Sequence, residues 1–489
     1  MSADRREFLA TAGAAFTSSI FTGNLKGAND RIAVGFIGAG RQGNTNLGNA
    51  MRQPGVQVAA ICDVYQPRVE SAVAAAQRAG HQPKGCKDFR DVLADKSIDA
   101  VCIATPDHWH ALMTVEACKA SKDVYVEKPV CTYVDEAPKM VQAARKYNRV
   151  VQAGTHHRSA GHIPAVREIL SSGQLGQVTF ARVWLYSLEP QEGIGNPPDM
   201  PPPPGLDWDL WLGPARYHAF NQNRFAVDRG MWGAFRYYWD YAGGQLSDNG
   251  IHFIDMLQTA FNETAPTVVT ALAAKTYLKD SRETPDTEVC LYQYPEFIMS
   301  YEHRYGNAQS MFGRSSGVMV YGSKGTLFIG AGGAYSLYPE REPALSPENP
   351  VGSLGGQFGG AVARGAQPGA SETPATAPGG GAAGRGAQVT RAGGMQPRPA
   401  EAPKASIDVP GMTPAVTHWG NFLECMRTRQ KPVADIEYVA RSAVTALLGN
   451  IAFRAKVRVE YDPKTWTSPQ REARALMAYN YRPPWKLEV

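Results

Sequence analysis

The sequence predicts an α/β protein: a doubly wound parallel sheet in the N-terminal third, then an α+β lobe on a mostly antiparallel sheet. Three observations carry this. Between residues 32 and 153, short apolar runs alternate with helical patterns, the spacing of a parallel sheet with crossover helices. From residue 267 on, strand-like runs follow one another with short connections, as in antiparallel pairing. The first apolar run ends in Gly38-Ala39-Gly40-Arg41-Gln42-Gly43, a G-x-G-x-x-G turn between a strand and a helix.

In the first lobe, strands are expected near 32–37, 56–62, 99–104, 123–126 and 149–153, and helices near 41–52, 65–79, 108–119 and 133–146. In the glycine turn the first glycine permits the bend, the second lets the backbone approach a pyrophosphate, and the third lets the helix pack close. The helix N-terminus then supplies N–H groups and positive potential to the phosphates. The second run, Val56 to Cys62, ends in Asp63, roughly 20 residues past the last glycine, where an acid can bind a ribose 2′-hydroxyl. Asp63 favours NAD over NADP by repelling a 2′-phosphate, while nearby Arg68 keeps NADP open. An ordinary βαβ turn with an N-capping aspartate is the plain alternative. The ligand of such a sheet lies across the carboxyl ends of its strands.

The pattern changes after Gly154. A helix over 161–171 precedes a strand over 178–186, and a Pro-rich segment from Pro190 to Gly205 reads as a stiff loop. Aromatics crowd 208–241: they either stack on a sugar ring or fill a core. A helix over 246–261 follows, then strands near 267–274, 287–294, 297–305, 318–321 and 326–329. Residues 352–404 are Gly, Ala and Pro with almost no large apolar side chain, and are expected to be a disordered surface insertion. Helices are expected over 415–427 and 438–454. The division is therefore 1–28 leader, 29–153 dinucleotide-binding domain, 154–351 substrate domain, 352–404 insertion and 405–489 the rest of the second domain.

The chain of 489 residues is 43% apolar and 19% charged, with a formal net charge of +5, the profile of a globular protein of two or more domains. No basic block with interleaved aromatics argues for nucleic acid. Arg5 and Arg6 precede a short, interrupted apolar stretch. This pattern resembles a twin-arginine export signal and is too short for a membrane span, so periplasmic export without stable membrane insertion is expected. The seven cysteines include no C-x-x-C pair and read mostly as small core residues.

The chemistry falls in three places. The strand ending at Ala104 runs into Thr105-Pro106-Asp107-His108-Trp109-His110, and the next ends in Glu127-Lys128-Pro129. Both segments face the crevice of the glycine turn, where Lys128 can hold a substrate oxygen. Further on, Asp248 and His252 stand one helical turn apart. A histidine can take the proton of an alcohol as its carbon loses hydride, and a carboxylate beside it can orient the ring. The plain alternative is the polar face of an amphipathic helix. The same row with His156 and His157 has no specific metal spacing, and no metal is expected.

These motifs in order, GAGRQG with Asp63, ATPDHWH, EKP and GGQLSDNGIH, resemble the Gfo/Idh/MocA oxidoreductases, the glucose-fructose oxidoreductase and inositol dehydrogenase family. The resemblance implies a Rossmann domain followed by a domain with a large open sheet that often forms the oligomer interface. It implies NAD, or NADP, held by Gly38, Ala39, Gly40, Arg41, Gln42, Gly43 and Asp63, with Thr105, Pro106, His110, Glu127 and Lys128 beside it. Lys128, Asp248 and His252 are the implied catalytic group, and His156, Arg158 and Trp239 are candidates for touching substrate. The expected activity is hydride transfer between a tightly held nicotinamide and a hydroxyl carbon of a sugar, glycoside or polyol, in a homo-oligomer. A redox-assisted glycoside hydrolase is the second reading and a nucleotide-bound sensor the third.

Overall fold

The computed structural model describes residues 31–225, 233–262, 265–331, 333–340 and 414–489. The leader and the 352–404 insertion lie outside the described residues. The first lobe is a parallel sheet of six strands in the order β3-β2-β1-β4-β5-β6. Its strands are β1 (Ile32–Ile37), β2 (Val56–Cys62), β3 (Lys84–Cys86), β4 (Ala100–Ile103), β5 (Asp123–Val126) and β6 (Val151–Ala153). Every residue of β4, β5 and β6 is buried, because helices cover both faces. Those helices are α1 (Arg41–Met51), α2 (Gln66–Arg78), α3 (Phe89–Ala94), α4 (His110–Lys119) and α5 (Glu136–Lys146). The chain order reverses between β1 and β4, which opens the ligand crevice there.

The second lobe is a sheet of eight strands in the order β13-β12-β11-β7-β10-β9-β8-β14. They are β7 (Val178–Tyr186), β8 (Val268–Ala274), β9 (Thr287–Gln293), β10 (Ile298–Arg304), β11 (Ser316–Gly322), β12 (Gly325–Ile329), β13 (Tyr335–Pro339) and β14 (Val459–Glu460). Only β7 and β10 pair in parallel. On one face lie α6 (Ile163–Ser171), α8 (Ile251–Ala260) and α10 (Ile436–Ala455); on the other, Trp184, Tyr186, Met319 and Phe328 form a small buried cluster over β7, β11 and β12, while among the described residues the β8–β9 end is exposed. β9 shows why: Glu288, Cys290 and Tyr292 are buried while Val289, Leu291 and Gln293 are exposed, the alternation of a one-sided sheet. α10 is buried on nearly every side and lies between the lobes, so a single core runs from one sheet to the other.

Several elements differ from expectation. β3, α3, β13, β14 and the final helix α11 (Arg471–Met477) were not foreseen; most are three to seven residues long, too short to show a period. The expected helix over 108–119 opens with a 3₁₀ turn, Asp107–Trp109, and the one over 246–261 with a π-helical turn, Leu246–Gly250. The expectation that residues 405–489 belong wholly to the second lobe fails for α9 (Pro414–Thr428). Trp419 stacks on Tyr125 of β5 with centroids 4.5 Å apart, and Phe422 joins the same first-lobe core. The aromatics of 208–241 are chiefly core. Trp208 and Trp211, on the short α7 (Trp208–Leu212), stack at 4.6 Å and pack with Phe220, Phe225, Phe235 and Tyr241.

Candidate active site

A cleft of about 1150 Å³ runs along the carboxyl ends of the first-lobe strands and is walled on its far side by the second lobe. Its volume suits a dinucleotide together with a small substrate. At one end stands the glycine turn. Gly38 has φ +93°, and a Cβ there would meet the backbone of Ala104 at 2.6 Å. A Cβ on Gly43 would sit 1.9 Å from the Gly38 carbonyl oxygen. Gly40, by contrast, faces open space, with the Arg68 guanidinium the nearest atom at 3.7 Å. The turn is therefore closed on its inner side and open where a pyrophosphate would lie against the first N–H groups of α1. The residues present fit a dinucleotide.

Asp63 closes the adenosine end. Its Oδ2 accepts from the Ala39 N–H at 2.7 Å and its Oδ1 from the Tyr65 N–H at 2.9 Å. Burial pushes its carboxyl up, while Arg68 and these two amides oppose the shift. Arg68 lies over the Phe225 ring at 4.6 Å, so a second-lobe aromatic pins it. The Pro-rich loop crosses here: Gln66 N–H donates to the Gly205 carbonyl, Asp207 N–H donates to the Val64 carbonyl, and Met200, Pro201 and Pro203 line the cleft.

The middle of the cleft is braced by polar groups. Glu127 accepts from Gln42 Nε2 at 3.0 Å, Asn46 Nδ2 at 2.8 Å and the Lys128 N–H at 3.2 Å, tying the end of β5 to α1. His110 lies with Nδ1 2.7 Å from the Pro129 carbonyl and Nε2 2.9 Å from that of Thr105. Arg41, Gln42, Thr105, Pro106, Glu127 and His110 all line the cleft. The polar atoms of Gln42, Glu127 and His110, however, are spent on joining the strand ends, so those side chains shape the cofactor bed rather than offer free donors.

At the far end the structure brings Lys128, Asp248 and His252 together. The Lys128 ammonium donates to Asp248 Oδ1 at 2.6 Å and to the Asp248 carbonyl oxygen at 2.9 Å. Arg236, on a 3₁₀ turn over Ala234–Tyr237, brings its Nε to 3.1 Å from the same Oδ1. These two cations hold the Asp248 carboxyl far below the usual carboxylate range, against the effect of burial. Asp248 is thus not the partner that orients His252, as the sequence suggested. A carboxylate shared by two cations binds them in preference to a neutral ring, and the π-helical turn aims Asp248 at Lys128. The buried His252 Nδ1 has no hydrogen-bond partner among the described residues. Its ring lies 5.3 Å from that of His156 and 5.1 Å from that of His157. Burial, then Lys128, then the two histidines depress His252 well below the ordinary histidine range.

Two candidate substrate contacts are corrected. Arg158 is not at the cleft: its side chain is 1% exposed and grips Asp255 through Nε and Nη2, the closest approach being 2.6 Å, so it is an interior ion pair anchoring α8. Trp239 lies outside the cleft lining, beneath the Arg454 guanidinium at 4.6 Å, with its N–H on Glu283. His156 does line the cleft. Two residues were missed as site members. Asp107 was visible in the TPDHWH motif beside the end of β4, but was not singled out. Arg236 sits in an aromatic run, FRYYW, with no motif of its own.

Against known proteins, residues 32–155 match the model of an oxidoreductase family, NAD-binding Rossmann fold, and residues 170–286 match its C-terminal alpha/beta domain. The chain belongs to the Gfo/Idh/MocA oxidoreductase family. Its first lobe is accordingly an NAD-binding Rossmann fold. Among curated Gfo/Idh/MocA-like relatives, inositol 2-dehydrogenase of Rubrobacter xylanophilus is 33% identical over 172 residues, 35% of this chain and 48% of that protein. A glycosyl hydrolase family 109 protein of Saccharopolyspora erythraea is 34% identical over 169 residues, 33% of this chain and 36% of that protein. The chain thus spans half the length or less of the curated relatives it matches. The WlbA dehydrogenase of Bordetella pertussis, solved with NADH and UDP-GlcNAcA, superposes with a TM-score of 0.58 at 18% identity, covering 88% of this chain and 99% of that one. A levoglucosan dehydrogenase, solved with NADH and levoglucosan, gives 0.57 at 17%, covering 88% and 99%. Likeness at this identity speaks for the fold.

Proposed function

We propose that this Gfo/Idh/MocA member moves hydride between NAD and the hydroxyl-bearing carbon of a sugar, glycoside or polyol. The observation that carries the reading is the Lys128–Asp248 pair at 2.6 Å in the same cleft as the glycine turn and His252. Lys128 has three N–H groups and spends two on Asp248, leaving one for a substrate oxygen. Asp248, itself held by Arg236, fixes that ammonium in place. His252, held neutral by burial and its cationic neighbour, is a base ready to receive the hydroxyl proton. NAD, when bound, supplies the hydride acceptor. His156 stands beside His252 and is the remaining candidate for substrate contact. The relatives named for inositol and levoglucosan agree with a polyhydroxylated substrate.

The test is a panel of sugars, glycosides and cyclitols, read as NADH formed per active site, with Lys128→Met and His252→Ala alongside. No reduced nucleotide with any member, after NAD occupancy is established by mass spectrometry, defeats the proposal. The relatives named for glycosyl hydrolase family 109 favour one second reading, a redox-assisted glycosidase. It is selected by release of nitrophenol from a nitrophenyl glycoside without added NAD. We further propose export through the Arg5-Arg6 leader, and a homo-oligomer built on the exposed β8–β9 end of the second sheet.

A further inference from the structure

The end of the cleft that holds Lys128 carries three acids, Asp107, Glu127 and Asp248, against two fixed cations, Lys128 and Arg236. The acids are not equivalent. Glu127 accepts three N–H bonds, and Asp248 is shared by both cations. Asp107 is 3% exposed, and its buried Oδ2 has no hydrogen-bond partner among the described residues. It starts the 3₁₀ turn directly after Thr105-Pro106, at the end of the strand beside β5. A buried carboxylate oxygen without a donor is costly, and that cost falls when a proton removes the charge.

We propose that Asp107 stores the substrate's hydroxyl proton while the substrate's hydride is held on the cofactor. The inference rests on the hydride-transfer reading above. In the oxidation the carbinol C–H bond breaks and its electron pair leaves with the hydrogen for the nicotinamide ring. The O–H bond breaks, its electrons form the carbonyl π bond, and its proton ends on Asp107. The balance is R₂CHOH + NAD⁺ + Asp107–COO⁻ → R₂C=O + NADH + Asp107–COOH, and the return reduction runs it backwards.

Charge explains why the proton stays. An oxidised nicotinamide held in this end of the cleft would give the three acids a third positive charge besides Lys128 and Arg236. Reduction removes the ring's charge, and the acid with the poorest partners gains a proton. Burial pushes the Asp107 carboxyl up to about 7, with Asp248 and Glu127 adding to the shift and Arg236 and Lys128 opposing it. The groups facing Asp107 offer no better resting place. His252 across the cleft is depressed well below the ordinary range, and His108 and His110, beside Asp107 in sequence, are depressed by burial. His252, the base of the hydride-transfer reading, is thus a poor resting place for the proton, and Asp107 the better one.

The experiment titrates the full-length protein with NAD⁺ and with NADH across the neutral range, measuring affinity and proton uptake by calorimetry in buffers of different ionisation enthalpy. In the wild type, NADH binding takes up more protons than NAD⁺ binding. The NADH:NAD⁺ affinity ratio falls as pH rises toward neutrality, by about tenfold per pH unit at its steepest. In Asp107→Asn both nucleotides still bind and the ratio is flat. A flat ratio in the wild type, or an Asp107→Asn protein that keeps the slope, overturns the proposal. If that variant does not fold, infrared difference spectra of the wild type decide: a protonated-carboxyl band in the NADH form supports the store, and its absence overturns it. Substrate oxidation with a flat ratio sinks the proton store alone. A steep ratio without oxidation of any sugar sinks the hydride-transfer reading instead.

Discussion

Replacing Lys128 by Met removes one group with two separable effects. The first is on the reacting oxygen. The ammonium's two bonds to Asp248, at 2.6 and 2.9 Å, survive any substrate, so the third N–H is what the substrate loses. A charge-assisted donor aimed at developing negative charge is worth about 2.7–4 kcal/mol, or a loss of about 10²–10³ in kcat. Binding of NAD changes little, because the glycine turn and Asp63 are untouched. The fold survives too, since Asp248 keeps Arg236 at 3.1 Å.

The second effect is on His252, and its sign is fixed. Lys128 is the largest charge holding that imidazole below its ordinary value. A base works only when neutral, so activity is lost as the pH falls through the His252 pKa. Without the neighbouring cation that pKa rises, and the acid limb of the kcat profile moves to higher pH. The assay is kcat and kcat/KM against pH for wild type and Lys128→Met on the same sugar. A fall in kcat of less than about fivefold, or an acid limb that stays where it was, refutes the arrangement: the former says Lys128 does not touch the reacting oxygen, the latter that His252 is not the base.

Gly43→Ala drives a Cβ to 1.9 Å from the Gly38 carbonyl oxygen and is expected to weaken NAD binding by about tenfold or more in fluorescence titration. Asp255→Ala strands the 1%-exposed Arg158 guanidinium and should cost about 3–5 kcal/mol of unfolding free energy, with Arg158→Met/Asp255→Leu recovering much of it in denaturant melts. Glu288, 1% exposed, has its carboxyl pushed up to about 7 by burial, from an ordinary 4.5. Its folded form binds the proton more tightly, so its contribution is complete below about pH 4.5 and is lost as pH rises through about 7; Glu288→Gln should recover about 3 kcal/mol above neutrality and flatten stability across that window. On the exposed β8–β9 end of the second sheet Leu272 is 83% exposed beside Val289, Leu291 and Ile298; the homo-oligomer proposed above would form there, and Leu272→Glu should then give a monomer where the wild type gives an oligomer in size-exclusion chromatography with light scattering.

The fold was legible wherever a period had room to repeat. β1, β2 and β5 begin and end where their apolar runs do, and the six foreseen strands of the second sheet, β7 to β12, fall within two residues of expectation. The losses have one cause. β3 is three residues, Lys84-Gly85-Cys86, and β14 is two, so neither contains a pattern to read. α9 is legible as a helix but not by its neighbour: nothing local says that Trp419 stacks on Tyr125, almost 300 residues earlier in the chain.

At the site the same boundary separates face from partner. The four-residue spacing of Asp248 and His252 put them on one side of one element, and both do line the cleft. Spacing does not decide what a carboxylate pairs with when two cations arrive from elsewhere, one 120 positions away at Lys128 and one on the neighbouring turn at Arg236. Asp248 Oδ1 goes to both, because an ionised partner offers roughly twice the hydrogen-bond strength of a neutral one. Arg158 fails for the converse reason. Its position after β6 points to the cleft, but Asp255, itself steadied by the Ser442 hydroxyl that donates to its Oδ1, offers in the interior the acceptors a buried guanidinium requires, so it turns inward. The pattern assigns residues to a surface; competition among long-range partners then assigns their charges. Asp107, whose buried Oδ2 meets no donor among the described residues, is the member of this site that such competition left over, and that is why its protonation is the observable to measure.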